Sequence, residues 1–117
     1  MSYLEKIQEL YGMLGQGQMM EAFEKFYHED VVMTELGEEP TVSKAANRER
    51  ELKFLSFVKE MHGGGVISVT SNEETKTTAV ENWMDATYQD GNRVNMVQVA
   101  IQQWEGDFII KETFYHK

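Results

Sequence analysis

Glu112 is the residue of this chain best placed to do chemistry. It lies between Ile110 and Phe114 at strand spacing, within the apolar closing segment 76–117. A carboxyl among apolar groups keeps its proton to higher pH, which suits general acid–base work near neutrality. The alternative is a structural carboxylate paired with Arg48, Arg50 or Arg93, or one exposed at a sheet edge. Asn82 and Asn95 could orient a ligand carbonyl or satisfy buried backbone groups. His116 could add a base, although it sits beside the last residue, where chains fray. Glu35 and His62 could reach a pocket mouth from a short strand and a helix end. A histidine at a helix C-terminus also simply complements the dipole.

Other chemistries find little support. The chain has no cysteine, which removes disulfides, thiol nucleophiles and thiolate metal sites. His28, His62 and His116 are far apart, so no metal site is expected. No cofactor is expected, and no Ser–His–Asp set can be assigned from spacing. Gly63-Gly64-Gly65 follows a helical pattern and leads into a strand, the reverse of a phosphate loop, and reads as a flexible turn.

Elements must position these groups. Ser2 and Glu5 form a capping-box pattern, followed by Leu4, Ile7, Leu10 and Leu14 at helical spacing. A second helix over 18–28 presents Phe23, Phe26 and Tyr27 on one face. Residues 31–36, with Met33 and Glu35, form a short strand. A third helix over 44–61 would bury Leu52, Leu55, Val58 and Met61, with Phe54 and Phe57 at its edge. Arg48, Glu49, Arg50, Glu51 and Lys53 read as its solvated face. Strands follow over 66–71, 76–88, 93–105 and 108–116. Helices first and a meander after make an α+β class, in one domain spanning 1–117.

Two tight turns set the register. A two-residue loop at Asp90-Gly91 puts Asn82 opposite Val99 and Val80 opposite Ile101. A two-residue loop at Gly106-Asp107 puts Ile101 opposite Glu112. The inward face then holds Asn82, Met84, Asn95, Val97, Val99, Glu112, Phe114 and His116. With Phe23, Tyr27, Met33, Glu35, Phe54 and His62 these would line a pocket. The outward face holds Trp83, Gln98, Gln102, Trp104 and Tyr115, and several aromatics on one face suggest a homodimer packed sheet to sheet.

Charge narrows the partners. Eleven basic residues are scattered among 20 acidic ones, for a net charge of −9, which argues against nucleic acid and anionic membranes. No apolar run approaches the roughly 18 residues that span a bilayer. The start, MSYLEKIQEL, lacks the apolar core of a signal peptide, so a cytoplasmic location is expected.

The stretches Phe26-Tyr27-His28-Glu29-Asp30-Val31, Ala46-Asn47-Arg48-Glu49, Met84 to Gly91 and Ile109 to Tyr115 resemble the SnoaL-like branch of the nuclear-transport-factor-2-like superfamily. The resemblance covers nearly the whole chain. It implies a cone of helices on a curved sheet, a pocket within the cone and a dimer across the outer face. In this branch polyketide cyclases use a pocket carboxylate as acid–base for an aldol closure, and Glu112 lies on the strand where such a residue falls. The inward face shows no Asp–Tyr set like that of ketosteroid isomerase, a member of the same superfamily. The resemblance therefore implies a cyclase or isomerase for an apolar carbonyl compound. The alternative is a non-catalytic ligand-binding or dimeric scaffold protein.

Overall fold

The capping box forms as its residues require. The Ser2 hydroxyl oxygen accepts from Glu5 N–H at 3.0 Å, and the Glu5 carboxylate accepts from Ser2 N–H at 2.9 Å. In the computed structural model, which describes residues 1–116, this opens α1 (Tyr3–Gly15). There follow α2 (Met19–Phe26), β1 (Tyr27–Glu35), β2 (Thr41–Val42), α3 (Lys44–Phe57), β3 (Val58–Asn72), β4 (Thr77–Tyr88), β5 (Arg93–Glu105) and β6 (Phe108–Tyr115). The strands form one sheet in the order β2-β1-β6-β5-β4-β3, parallel only between β1 and β6. Three helices on a mainly antiparallel sheet make the expected α+β fold. Ile7, Leu10, Phe23, Phe26, Val31, Val80, Trp104 and Ile109 form its core.

The helix-to-strand boundary lies earlier than the apolar spacing implies. α3 ends at Phe57, and Val58 already has extended backbone (φ −80°, ψ 119°). Gly63, Gly64 and Gly65 are therefore inside β3 and form no turn. Their small size is needed there. A Cβ on Gly63 or on Gly65 would come within 3.0 Å of the Trp83 indole, which lies over both. The apolar stripe expected on α3 is also corrected, since Leu52, Leu55 and Met61 are exposed. The helix instead turns Lys44 and Asn47 inward, with Glu51 and Phe54 half-buried on the same side. It docks on α2, β1 and β2 by hydrogen bonds: Lys44 Nζ donates to Glu24 O at 2.9 Å, and Asn47 Nδ2 reaches Val31 O, Thr41 O and Ser43 O.

The first hairpin has three loop residues where two were expected. Tyr88 N–H donates to Asn92 O, and Gly91 sits at φ +89°. This is a turn closed by a left-handed glycine bulge. The extra residue slips β5 by one position, placing Asn82 opposite Gln98 and Val80 opposite Ala100. A one-residue slip turns a whole strand over. Gln98, Gln102 and Trp104 consequently face inward, while Asn95, Val97 and Val99 face out. The second hairpin pairs Glu105 with Phe108 as expected, but a bulge between Gln103 and Trp104 shifts β6 by one in turn. The two shifts cancel across the sheet, so Glu112 still faces the helices, opposite Gln102.

Candidate functional site

Three neighbouring strands bring Thr78, Gln102 and Glu112 into one cross-strand row on the inward face. Met33 of β1 continues that row beside Glu112. Glu112 is only 1% exposed. Its Oε1 accepts from the Tyr27 hydroxyl at 2.5 Å, and its Oε2 accepts from Gln102 Nε2 at 2.7 Å. Tyr27 is itself fixed by stacking on Phe23, with ring centroids 4.9 Å apart. The partners of Glu112 are thus neutral donors and not the arginines considered above. Arg48 bonds Glu24, Arg93 bonds Asp85, and Arg50 lies 4.0 Å from Glu35.

Electrostatics follow from this burial. Loss of hydration pushes the Glu112 carboxyl from 4.5 up to about 7, against the opposing pull of the Tyr27 and Gln102 hydrogen bonds. The charge of Glu51 adds to the rise. Glu51 is also pushed up to about 7, by burial first, with Arg50 opposing and Glu35 adding. Burial likewise raises the Tyr11 and Tyr27 hydroxyls, and the nearby Glu112 charge raises both further. The carboxyls can therefore hold or release a proton near neutral pH, and the phenols remain donors.

A second polar group lies further along the same face. The Asn82 amide donates to Tyr11 Oη at 3.3 Å, which directs the phenolic hydrogen elsewhere, and Asn82 Oδ1 accepts from Gln98 Nε2 at 3.3 Å. Tyr11 also lines a cleft of about 340 Å³ between α1 and the β3–β4 edge, with Ile7, Gln8, Gly12, Val66, Val69 and Val80. The cleft is mostly apolar, with the Tyr11 hydroxyl and Gln8 as its polar side chains. Glu112 does not line it.

The other expected site residues divide. Met84 and Phe114 are half-buried on the inward face, and Phe54 packs edge-on to Tyr88. His116 Nε2 lies 2.8 Å from Glu35 Oε2, which joins two expected residues at the end of β1. His62 bonds Thr87 Oγ1 at 2.7 Å; Thr87 alternates with inward Ala86, so the pair lies on the outer face and away from the pocket. Asn95 and Val97 are exposed on the outer face. Of the expected dimer face, Trp83 and Tyr115 do point outward, whereas Gln102 and Trp104 are buried at 0% and 2% exposure. Tyr11, Glu51 and Gln102 were not expected in the site. Spacing does carry a signal for Glu51, because Lys44, Asn47, Glu51 and Phe54 recur at helical intervals.

The backbone superposes on that of a Mesorhizobium loti protein provisionally described as a SnoaL-like polyketide cyclase, with a TM-score of 0.86 and 27% identity over 98% of this chain and 99% of that one. The chain is SnoaL-like, with the nuclear-transport-factor-2-like fold. A Pseudomonas putida KT2440 protein provisionally described as a polyketide cyclase matches with a TM-score of 0.85 at 19% identity, over 100% of this chain and 92% of that one. A Burkholderia pseudomallei nuclear-transport-factor-2-like protein of unknown function matches at 0.81 and 10% identity, over 98% and 90%. No family model matches the sequence, and no curated protein matches it. Among the described residues of this SnoaL-like chain, no helix is long and apolar enough to cross a membrane.

The raised carboxyls give stability a defined pH dependence. Between pH 4.5 and about 7 the native Glu112 keeps a proton that an unfolded glutamate has lost, so stability falls as pH rises through that window. Glu51 contributes with the same sign. Urea midpoints at pH 5 and pH 8 should show the wild type losing stability. Glu112→Gln should reduce that loss by on the order of 3 kcal/mol, at about 1.4 kcal/mol per pH unit. An identical pH 5 to pH 8 loss in the variant would contradict the assignment.

Proposed function

We propose that this protein binds a mostly apolar compound bearing one carbonyl group, and that Glu112 serves it as an acid–base group. The observation that carries the reading is a fully buried carboxyl held by two neutral donors in the inward wall of the cone. A buried charge without a cationic partner is costly, and its retention near neutral pH suits proton transfer better than structural support. The cleft beside Tyr11 fits the same reading, because its volume and apolar walls suit a ligand of about ten heavy atoms. The Tyr11 hydroxyl, whose hydrogen the Asn82 amide directs away from itself, would donate to the ligand's oxygen. The M. loti and P. putida neighbours, provisionally described as cyclases, make aldol-type closure of a carbonyl substrate the reaction class to try first.

A second reading is binding without turnover, as a ligand carrier or dimeric scaffold. It is favoured by one observation: both Glu112 oxygens are already engaged, and the residue does not line the cleft. Either reading includes a homodimer through the outer sheet face. There Val97, Ile101 and Tyr115 are 53%, 37% and 43% exposed, an apolar strip that a second copy would cover. Native mass spectrometry of the freshly purified protein tests both parts. The expected species is a dimer carrying an apolar oxygen-containing compound. A bare monomer, still bare after incubation with the bicyclic ketone 2-tetralone, would contradict ligand binding and dimerisation together.

A further inference from the structure

Three hydrogen bonds in the core run in one direction to Glu112, and a fourth meets it from the other side. Trp104 Nε1–H donates to Thr78 Oγ1 at 3.0 Å. The Thr78 hydroxyl donates to Gln102 Oε1 at 2.7 Å. Gln102 Nε2 donates to Glu112 Oε2 at 2.7 Å, and Tyr27 closes the other side at Oε1. Thr78, Gln102, Trp104 and Glu112 are each at most 2% exposed, so solvent cannot substitute for any partner.

The direction is set at the indole. A tryptophan N–H can donate but never accept, so Thr78 receives it, and the hydroxyl's own hydrogen goes on to Gln102 Oε1. That donation turns the carbonyl end of Gln102 toward Thr78 and its NH₂ end toward the carboxyl. The opposite amide orientation would aim a carbonyl at Glu112 Oε2 and would require that oxygen to carry a proton. We propose that Trp104 and Thr78 are positioning residues that act through Gln102 to keep Glu112 Oε2 an acceptor, confining the exchangeable proton to Oε1, the oxygen facing Tyr27. The other titratable groups facing the carboxyl are Tyr11 from α1, Tyr27 from β1 and Glu51 from α3; Tyr11 and Glu51 act through charge alone, and the Tyr27 hydroxyl, which donates to Oε1, can turn to accept a proton held there. The choice is made by the uncharged relay.

The inference builds on the proposed role of Glu112, but its test needs no ligand, so failure here and failure of the ligand-binding reading remain separable. The full chain labelled with ¹³C at glutamate Cδ is titrated by NMR, with the Glu112 resonance identified by its disappearance in Glu112→Gln. Thr78→Val removes the donor that orients Gln102 and should raise the proton affinity of Glu112 about tenfold, one pH unit in the midpoint. Trp104→Phe keeps the ring but frees Thr78 and should raise the affinity about threefold, while Thr78→Ser should titrate as wild type. If Thr78→Val does not fold, Trp104→Phe against Thr78→Ser decides. Packing loss alone would not separate serine from valine by a carboxyl midpoint. Wild-type midpoints in the folded Thr78→Val and Trp104→Phe variants, or in Trp104→Phe alone where valine does not fold, would overturn the assignment.

Discussion

Trp104→Glu will not fold, whereas Trp83→Glu will. Trp104 stands between Tyr3, at 5.6 Å between ring centroids, and Phe26, edge-on at 6.2 Å, and its N–H is bonded to Thr78. Removing a core tryptophan costs about 3–5 kcal/mol from lost contacts and cavity. Placing an unpaired carboxylate there adds a desolvation penalty of several kcal/mol more. Net stabilities of small domains are about 5–15 kcal/mol, so the sum is expected to exhaust this one. Trp83 is half-buried on the outer face and lies on two glycines, where a charged head can still reach water. Trp83→Glu should cost about 1–2 kcal/mol. Far-UV circular dichroism with urea titration checks both. A cooperative transition in Trp104→Glu at the wild-type midpoint would show that the indole is not in the core.

The contrast between the two tryptophans shows what could be seen in the residues alone. Alternation along β4 placed Asn82 inward and Trp83 outward, because a strand's side chains must alternate. Carrying that pattern from β4 to β5 depended on one turn. Asp90-Gly91 is consistent with a two-residue loop and with a three-residue loop ending in a left-handed glycine, and the two differ only in whether Gln89 is a strand or a loop residue. That difference sent Val97 and Val99 outward and brought Gln102 and Trp104 into the core. The inward position of Glu112 survived because the β6 bulge restores the phase. Bulges leave little mark on residue type, since Ile109 and Ile110 are equally apolar. The extent of α3 was obscured by a related ambiguity: Leu55, Val58 and Met61 fit helical spacing, yet Val58 begins a strand paired with Tyr88. Glu51 was hidden by its charge, because a glutamate beside arginines reads as solvated unless the buried polar stripe Lys44–Asn47 is recognised first. The α+β class was legible from whole-chain pattern, with helices before a long-stranded meander, and the resemblance implied the cone.

Glu112→Gln is expected to remove acid–base activity while leaving the fold intact. The amide keeps the shape of the carboxyl and can still accept from Gln102 while its NH₂ donates to the Tyr27 oxygen, but it cannot take up and return a proton. A positioned general base contributes about 10²–10⁴-fold to rate, so a loss of at least about 100-fold is expected. The wild-type activity should depend on pH near 7, where Glu112 titrates. Activity should require the ionised form when Glu112 acts as base, rising with pH to a plateau above that value. Tyr11→Phe should chiefly weaken ligand binding, because the hydroxyl sits at the cleft and beside Asn82 rather than on the proton-transfer oxygen.

The most direct measurement is deuterium exchange at the carbons next to the carbonyl of 2-tetralone in D₂O, followed by NMR with wild type and Glu112→Gln at matched ligand occupancy. The expected result is exchange accelerated by the wild type, with a midpoint near pH 7, and slowed at least about 100-fold by the substitution. Equal exchange rates in the two folded, ketone-bound proteins would contradict the role given to Glu112.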